Sequence, residues 1–277
     1  MSPAKVTLIL STYESPAALE KVLHGLALQV CAADEILIAD DGSGNTTRDL
    51  IEKWRTGQKP PVRHLWQPNK GFRKTVILNQ AVAAATGDYV VLLDGDCVPH
   101  ACFLSDHKRL AEPGCWVQGR RCFVKEQFVP EFSADNTPVW WWLLSRRITG
   151  VGKAVRLPFP VVRRDQAQRG IIGCNMGFWR DDLVAVNGFD EGYSGWGIGE
   201  DSDVGTRLYH LGRRRKFVYG RAVIYHLNHP MLPRDHVAAS HERLAETIRS
   251  RRVRCDRGLD QYLGGSHHAA DHAAGVK

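Results

Sequence analysis

Three strand-like runs early in the chain each stop at a cluster of polar or acidic side chains, and this pattern constrains the fold more than any other feature. Residues 6–10 run into Ser11-Thr12-Tyr13-Glu14, residues 35–39 into Asp40-Asp41-Gly42-Ser43, and residues 89–93 into Asp94-Gly95-Asp96. Short runs rich in Val, Ile and Leu read as buried strands. Between them lie stretches with helical spacing. Leu19, Val22, Leu23 and Leu26 recur at intervals of three and four, residues 47–54 and 75–85 read as further helices, and residues 62–66 as another strand. Such alternation builds an α/β fold, a Rossmann-like, mostly parallel sheet with helices on both faces. Ligands of these sheets bind beyond the carboxyl ends of the strands, so the three polar clusters are expected to share one crevice.

The acidic residues at those ends carry the chemistry. Carboxylates at the end of a buried strand are costly unless a cation or ligand meets them. Asp94 and Asp96 alternate around Gly95, an arrangement that can direct oxygens toward a divalent ion and a diphosphate. A second motif, Gly195-Trp196-Gly197-Ile198-Gly199-Glu200-Asp201, sets a Glu-Asp pair among glycines beside an aromatic ring. That combination suits a general base acting on a sugar hydroxyl. The chain therefore reads as an enzyme that handles a phosphorylated donor.

Composition narrows the surroundings. The 277 residues suit one large domain or two fused ones, and no apolar run reaches the roughly 18 residues of a membrane-spanning helix. The amino-terminal stretch is too short and too polar at its end for a secretory signal. Seven scattered cysteines without a Cys-x-x-Cys pair read as reduced, packed thiols of a cytoplasmic protein. A net charge of +7 fits a phosphate-rich substrate, an anionic membrane or nucleic acid without choosing among them.

The second half is less regular. Residues 113–170 show no clear periodicity. Residues 171–178 read as a strand, 180–187 and 201–211 as helices, 217–219 and 222–225 as short strands, and 235–254 as a basic helix. From residue 264 onward a disordered tail is expected.

Taken in order, these motifs resemble a known family. The amino-terminal strand with Ser11-Thr12-Tyr13, then Asp40-Asp41-Gly42-Ser43, Asn69-Lys70-Gly71 and Asp94-Gly95-Asp96, is similar to family 2 glycosyltransferases of the GT-A fold. The later block, Gly173-Cys174-Asn175-Met176-Gly177, Asn187-Gly188-Phe189-Asp190-Glu191 and Trp196 to Asp201, resembles the carboxyl-terminal module of galactosyltransferases and chondroitin-polymerase-type enzymes. The resemblance covers roughly residues 5–230. It implies that 1–112 form the nucleotide-sugar-binding half and 113–234 the acceptor-binding and catalytic half of one domain. A basic helix over 235–263 and a tail over 264–277 complete the expected organisation.

The same resemblance implies roles. Asp41 would accept a hydrogen bond from the nucleotide base, Ser11 would line the nucleoside pocket, and Asp94 would hold the donor ribose or sugar. Asp96 and His226 would bind Mn²⁺ or Mg²⁺, and Arg73 and Lys74 would contact the diphosphate. Asp201 would be the catalytic base, with Glu200 binding acceptor or donor sugar beside it. Related retaining enzymes carry asparagine where this chain has Asp201, and asparagine cannot take a proton, so inversion is expected. Glu14 stands where the family usually has asparagine and receives no role.

The expected partners are a nucleotide-sugar donor and a glycan or glycolipid acceptor. Trp196 and Trp141 are candidate acceptor contacts. Trp140-Trp141-Trp142 could equally pack in the core or touch a membrane, and the arginines at 249, 251, 252 and 254 read as a solvated face or an anionic-lipid contact. Peripheral association with the inner membrane face is thus left open. His229 reads as a structural or surface histidine. A retaining transferase or a nucleotidyltransferase is the rival enzyme. A basic nucleic-acid-binding protein or a non-catalytic sugar-binding module is the rival outside enzymes; the first has no need of clustered aspartates, and the second no need of both Asp96 and Asp201.

Overall fold

A computed structural model of the chain describes residues 5–135, 139–165, 170–193, 195, 199–230 and 237–264. Its first part follows the alternation: β1 (Val6–Thr12), α1 (Pro16–Ala27), β2 (Glu35–Asp40), α2 (Asn45–Arg55), β3 (Val62–Trp66), α3 (Lys74–Ala84) and β4 (Tyr89–Asp94). A short strand β5 (Cys97–Pro99) and helix α4 (Phe103–Leu110) come next. The aperiodic stretch supplies β6 (Cys115–Gln118), β7 (Arg121–Val124), α5 (Val139–Leu144), β8 (Ile148–Thr149), α6 (Val151–Ala154) and β9 (Val161–Asp165). The remainder comprises β10 (Asn175–Trp179), α7 (Arg180–Ala185), α8 (Glu200–His210), β11 (Arg214–Tyr219), β12 (Ile224–Leu227) and α9 (Val237–Ser250).

The larger sheet has the order β3-β2-β1-β4-β10-β6-β11-β9, and a smaller one the order β5-β12-β7-β8. β3, β2, β1 and β4 run parallel, and β2, β1 and β4 carry the near-continuous buried runs typical of such strands. β10 enters antiparallel between β4 and β6 and joins the two halves.

Side-chain alternation explains the layers. Leu8 and Leu10 of β1, with Ile36, Ile38, Tyr89 and Val91, pack against α1 and α2 through Leu19, Val22, Leu23 and Ile51. Ile9, Leu37, Val90 and Leu92 point to the other face and meet Ile77, Leu78, Val204 and Leu208 of α3 and α8. Each fully buried aliphatic side chain is worth about 1.5–3 kcal/mol. The sheet is therefore fixed from both faces, and its strand ends are held in register.

The carboxyl-terminal segment differs from the long basic helix expected over 235–254. α9 ends at Ser250, where Arg251 takes a left-handed φ of 53°. Most of the arginines around this helix end are not a free basic face. Arg252 donates to Asp190 at 3.0 Å, Arg254 lies 3.4 Å from Asp260, and Arg249 pairs with Glu242 and Glu246. Arg243 grips Asp190 with two bonds of 2.9 and 2.7 Å, and Thr247 donates to the buried Asp203 of α8. α9 is thereby bound to the start of α8.

Among the described residues no helix is long and apolar enough to cross a membrane. All seven cysteines are free thiols.

Candidate active site

Strand register brings the polar clusters together. Ser11 of β1 lies opposite Asp94 of β4, and Thr12 lies opposite Asp40 of β2. Asp94 Oδ1 accepts from Ser11 Oγ at 2.7 Å and from Lys74 Nζ at 2.7 Å. Lys74 is the first residue of α3, so the helix start delivers a cation to the end of β4. Burial opposes its charge, but the carboxylates of Asp94, Asp201 and Glu200 outweigh that cost and raise its pKa.

Of the Asp40-Asp41 pair, Asp40 builds the turn. Its Oδ1 accepts from the backbone N–H groups of Gly42 and Ser43, and its Oδ2 meets His64 Nε2 at 3.0 Å. Asp41 accepts from Gln67 Nε2 at 2.6 Å and from the Arg73 backbone N–H at 2.8 Å. Burial raises its pKa against the pull of both bonds. Thr12 Oγ1 and Gln67 Oε1 nearby are buried with no hydrogen-bond partner among the described residues. The Arg73 side chain turns from Asp94 toward the Pro68 carbonyl. Glu14, at a left-handed φ of 41°, accepts from the Gly44 N–H and ties the β1 and β2 ends together. Its part is local structure.

Glu200 and Asp201 open α8 directly after Gly199, whose φ of 100° suits glycine. Glu200 is 4% exposed, and its Oε2 has no partner among the described residues. Burial, then the neighbouring Asp201 charge, pushes its pKa up to about 8. Burial likewise raises Asp201, with Lys74 pulling the other way and the Gly173 backbone N–H donating to its carboxylate. A Cβ on Gly173 would lie 2.2 Å from Asp201 Oδ1. The glycine is what lets β10's approach reach the carboxylate.

Asp96 anchors a second cluster. β12 pairs antiparallel with β5 so that His226 faces Cys97, and Leu227 N–H donates to the Asp96 carbonyl at 2.8 Å. His226 Nε2 and His229 Nε2 lie 3.4 and 3.2 Å from Asp96 Oδ2. One ligand atom from each of the three residues falls within 4.8 Å of the others. The two histidines overcome the effect of burial and lower the Asp96 pKa. Burial lowers the His226 pKa, and its buried Nδ1 has no hydrogen-bond partner among the described residues. His229 is raised by its bond to Asp96. His229, read from the sequence as structural or surface, also stands in this cluster, and the His-x-x-His spacing is the sequence signal for it.

Arg121 is a second residue that sequence reasoning missed. It sits at Cys174 Sγ, 3.6 Å away, and its positive charge acts on Asp201 and Asp94. The tryptophans divide. Trp142 is buried against Phe128 and Phe132, whereas Trp140 and Trp141 are 66% and 60% exposed. Trp196 lies outside the described residues.

The order of the larger sheet and the helices on its faces are those of the GT-A fold. The chain belongs to glycosyl transferase family 2, whose pattern matches residues 7–178, and a second pattern, the N-terminal domain of galactosyltransferase, matches residues 155–230. It is 25% identical over 226 residues to a validoxylamine A glucosyltransferase of Streptomyces hygroscopicus, covering 75% of this chain and 52% of that protein. It is 24% identical over 252 residues to a chondroitin synthase of Escherichia coli, covering 81% and 35%. The chain thus spans about half or less of these curated relatives. In fold it is similar to a mannosyltransferase from Pyrobaculum calidifontis solved with GDP-Man and Mn²⁺, with a TM-score of 0.54, 21% identity, and coverage of 90% of this chain and 63% of that one. It is also similar to residues 1–349 of TarS from S. aureus, with a TM-score of 0.62, 16% identity, and coverage of 93% and 68%.

Proposed function

We propose that this glycosyltransferase moves a hexose or N-acetylhexosamine from a UDP-sugar to a glycan or glycolipid acceptor with inversion at the anomeric carbon. The observation that carries the reading is that two clusters flank the carboxyl end of β4, where Asp94 acts on both. Asp96, His226 and His229 form one, and Glu200 and Asp201, bridged to Asp94 by the field of Lys74, form the other.

Asp201 is the base. Burial raises its proton affinity, and the Gly173 N–H fixes its carboxylate, so it can take the proton of an acceptor hydroxyl as that oxygen attacks. Glu200 orients a sugar hydroxyl. Asp94 holds the donor ribose or sugar and is itself held by Ser11 and Lys74. Lys74 also offers its charge to the departing diphosphate. Asp41 receives the nucleotide base, since each of its oxygens keeps a free lone pair. Arg73 contributes through its backbone at Asp41.

The donor set fits a divalent ion, with one carboxylate and two imidazoles, and burial favours the neutral, metal-binding form of His226. The two nitrogens favour Mn²⁺ over the oxygen-seeking Mg²⁺. Bound there, the ion would neutralise charge developing on the diphosphate. Cytoplasmic action with peripheral membrane contact completes the reading, supported by the exposed Trp140, Trp141 and Leu144 of α5.

A donor screen tests the proposal. The protein is incubated with Mn²⁺ and a panel of UDP-, GDP- and dTDP-sugars, and hydrolysis and product anomer are read by NMR. Turnover of a UDP-sugar with inverted configuration is expected. A retained configuration, or no turnover of any UDP-sugar, overturns it.

A further inference from the structure

We infer that a cavity beside the catalytic carboxylates is an acceptor subsite for an anionic group, either the carboxylate of an acidic sugar or a phosphodiester. This rests on the glycosyltransferase reading above and names the acceptor class. The cavity, of about 600 Å³, has Lys70, Arg73, Thr75 and Gln80 on one side and Tyr193 and Arg257 on the other. Three of these residues carry a buried polar atom with no hydrogen-bond partner among the described residues: Arg73 Nε, Thr75 Oγ1 and Tyr193 Oη. Thr75 is 1% exposed and Tyr193 2%. The Tyr193 hydroxyl lies toward the charges of Asp190 and Asp203, but buried donors are normally satisfied, so Arg73 Nε and Thr75 Oγ1 in the lining of one polar cavity point to a ligand that completes them.

The sign of the charge selects the ligand. The one acidic residue of the lining, Glu191, is already committed to Tyr262, Asn79, Gln261 and Arg257. Lys70 and Arg73 remain as the cationic surplus. The place in the fold selects acceptor over donor. Lys74, next to Arg73, reaches Asp94 on the catalytic side, so the first turn of α3 is a wall shared by cavity and catalytic site. Tyr193 packs on Gly199, the residue before Glu200, with its ring 2.5 Å from where a Cβ on that glycine would be. None of the residues proposed for base, ribose or metal binding through their side chains (Asp41, Asp94, Asp96, His226) lines the cavity.

Titration calorimetry without donor tests the subsite on three probes. These are a hexuronic-acid oligosaccharide, its carboxyl-reduced neutral counterpart, and a phosphodiester-linked sugar oligomer. At least one anionic oligomer is expected to bind about tenfold tighter than the neutral one. Whichever binds tighter identifies carboxylate or phosphate as the source. Lys70→Glu should abolish that preference, and Thr75→Val, which replaces only the hydroxyl by a methyl group, should weaken the anionic oligomer severalfold, with thermal melting confirming that both variants fold. Equal binding of all three probes, or an anionic preference that survives both substitutions, overturns the subsite. Donor hydrolysis by the unaltered chain judges the glycosyltransferase reading separately, because the binding measurement does not depend on turnover.

Discussion

Replacing Gly173 by alanine puts a methyl carbon where the Asp201 carboxylate now lies. The added Cβ would sit 2.2 Å from Oδ1 and 2.5 Å from both Cγ and Oδ2. Ordinary contact needs at least about 3.4 Å, so the carboxylate or the strand approach must yield by roughly 1 Å. Gly173 lies outside the left-handed region, so alanine meets no backbone penalty there and the effect is that of the collision. Misplacing a reacting group by about 1 Å costs on the order of 10²-fold in rate. Overpacking costs about 1–3 kcal/mol of stability. Gly173→Ala should therefore lower kcat on the order of 10²-fold, while affinity for the nucleotide, held at Asp41 and Asp96, stays within severalfold. Steady-state turnover and calorimetric binding of UDP with Mn²⁺ make the comparison. Turnover within about threefold of the unaltered enzyme would refute the claim that Asp201 must occupy this position to act.

Other expectations follow from the same geometry. His229→Ala should weaken Mn²⁺ binding by at least about tenfold, read by paramagnetic resonance titration, and EDTA should abolish turnover; unchanged affinity would return His229 to a surface role. Glu200 keeps its proton up to about pH 8 when folded but loses it near 4.5 when unfolded. Between those values the folded chain binds more protons, so this group costs stability progressively as pH rises. Glu200→Gln should match the unaltered chain in unfolding free energy near pH 4.5 and exceed it at pH 8 by on the order of a few kcal/mol, with a correspondingly higher melting temperature; equal melting at both would refute the burial argument. Trp140→Ser with Trp141→Ser should reduce flotation with anionic liposomes, and equal recovery in the soluble fraction with and without lipid would reject membrane contact.

The parallel half of the fold was legible because β1, β2 and β4 are buried on both faces and read as apolar runs ending in polar clusters. The other half was not. β6, β7 and β8 are too short to show a period, and the pairing of β6 with β10 and β11 and of β7 with β12 joins distant parts of the chain. The site divides in the same way. Asp94, Asp96, Glu200 and Asp201 lie in motifs that a reader can find by composition and spacing. His229, Arg121 and Gln67 depend on strand pairing and loop return, which place them beside Asp96, Cys174 and Asp41. Arg252 read as part of a charged surface, but Asp190, far away in sequence, draws it inward.

The central claim is that Asp201 takes the acceptor proton. Asp201→Asn preserves shape and removes basicity, so single-turnover kinetics with saturating donor and acceptor isolate the step. The prediction is a loss on the order of 10²-fold or more in the chemical rate, with UDP-sugar affinity nearly unchanged. A near-normal rate in Asp201→Asn, with the same inverted product, would contradict it.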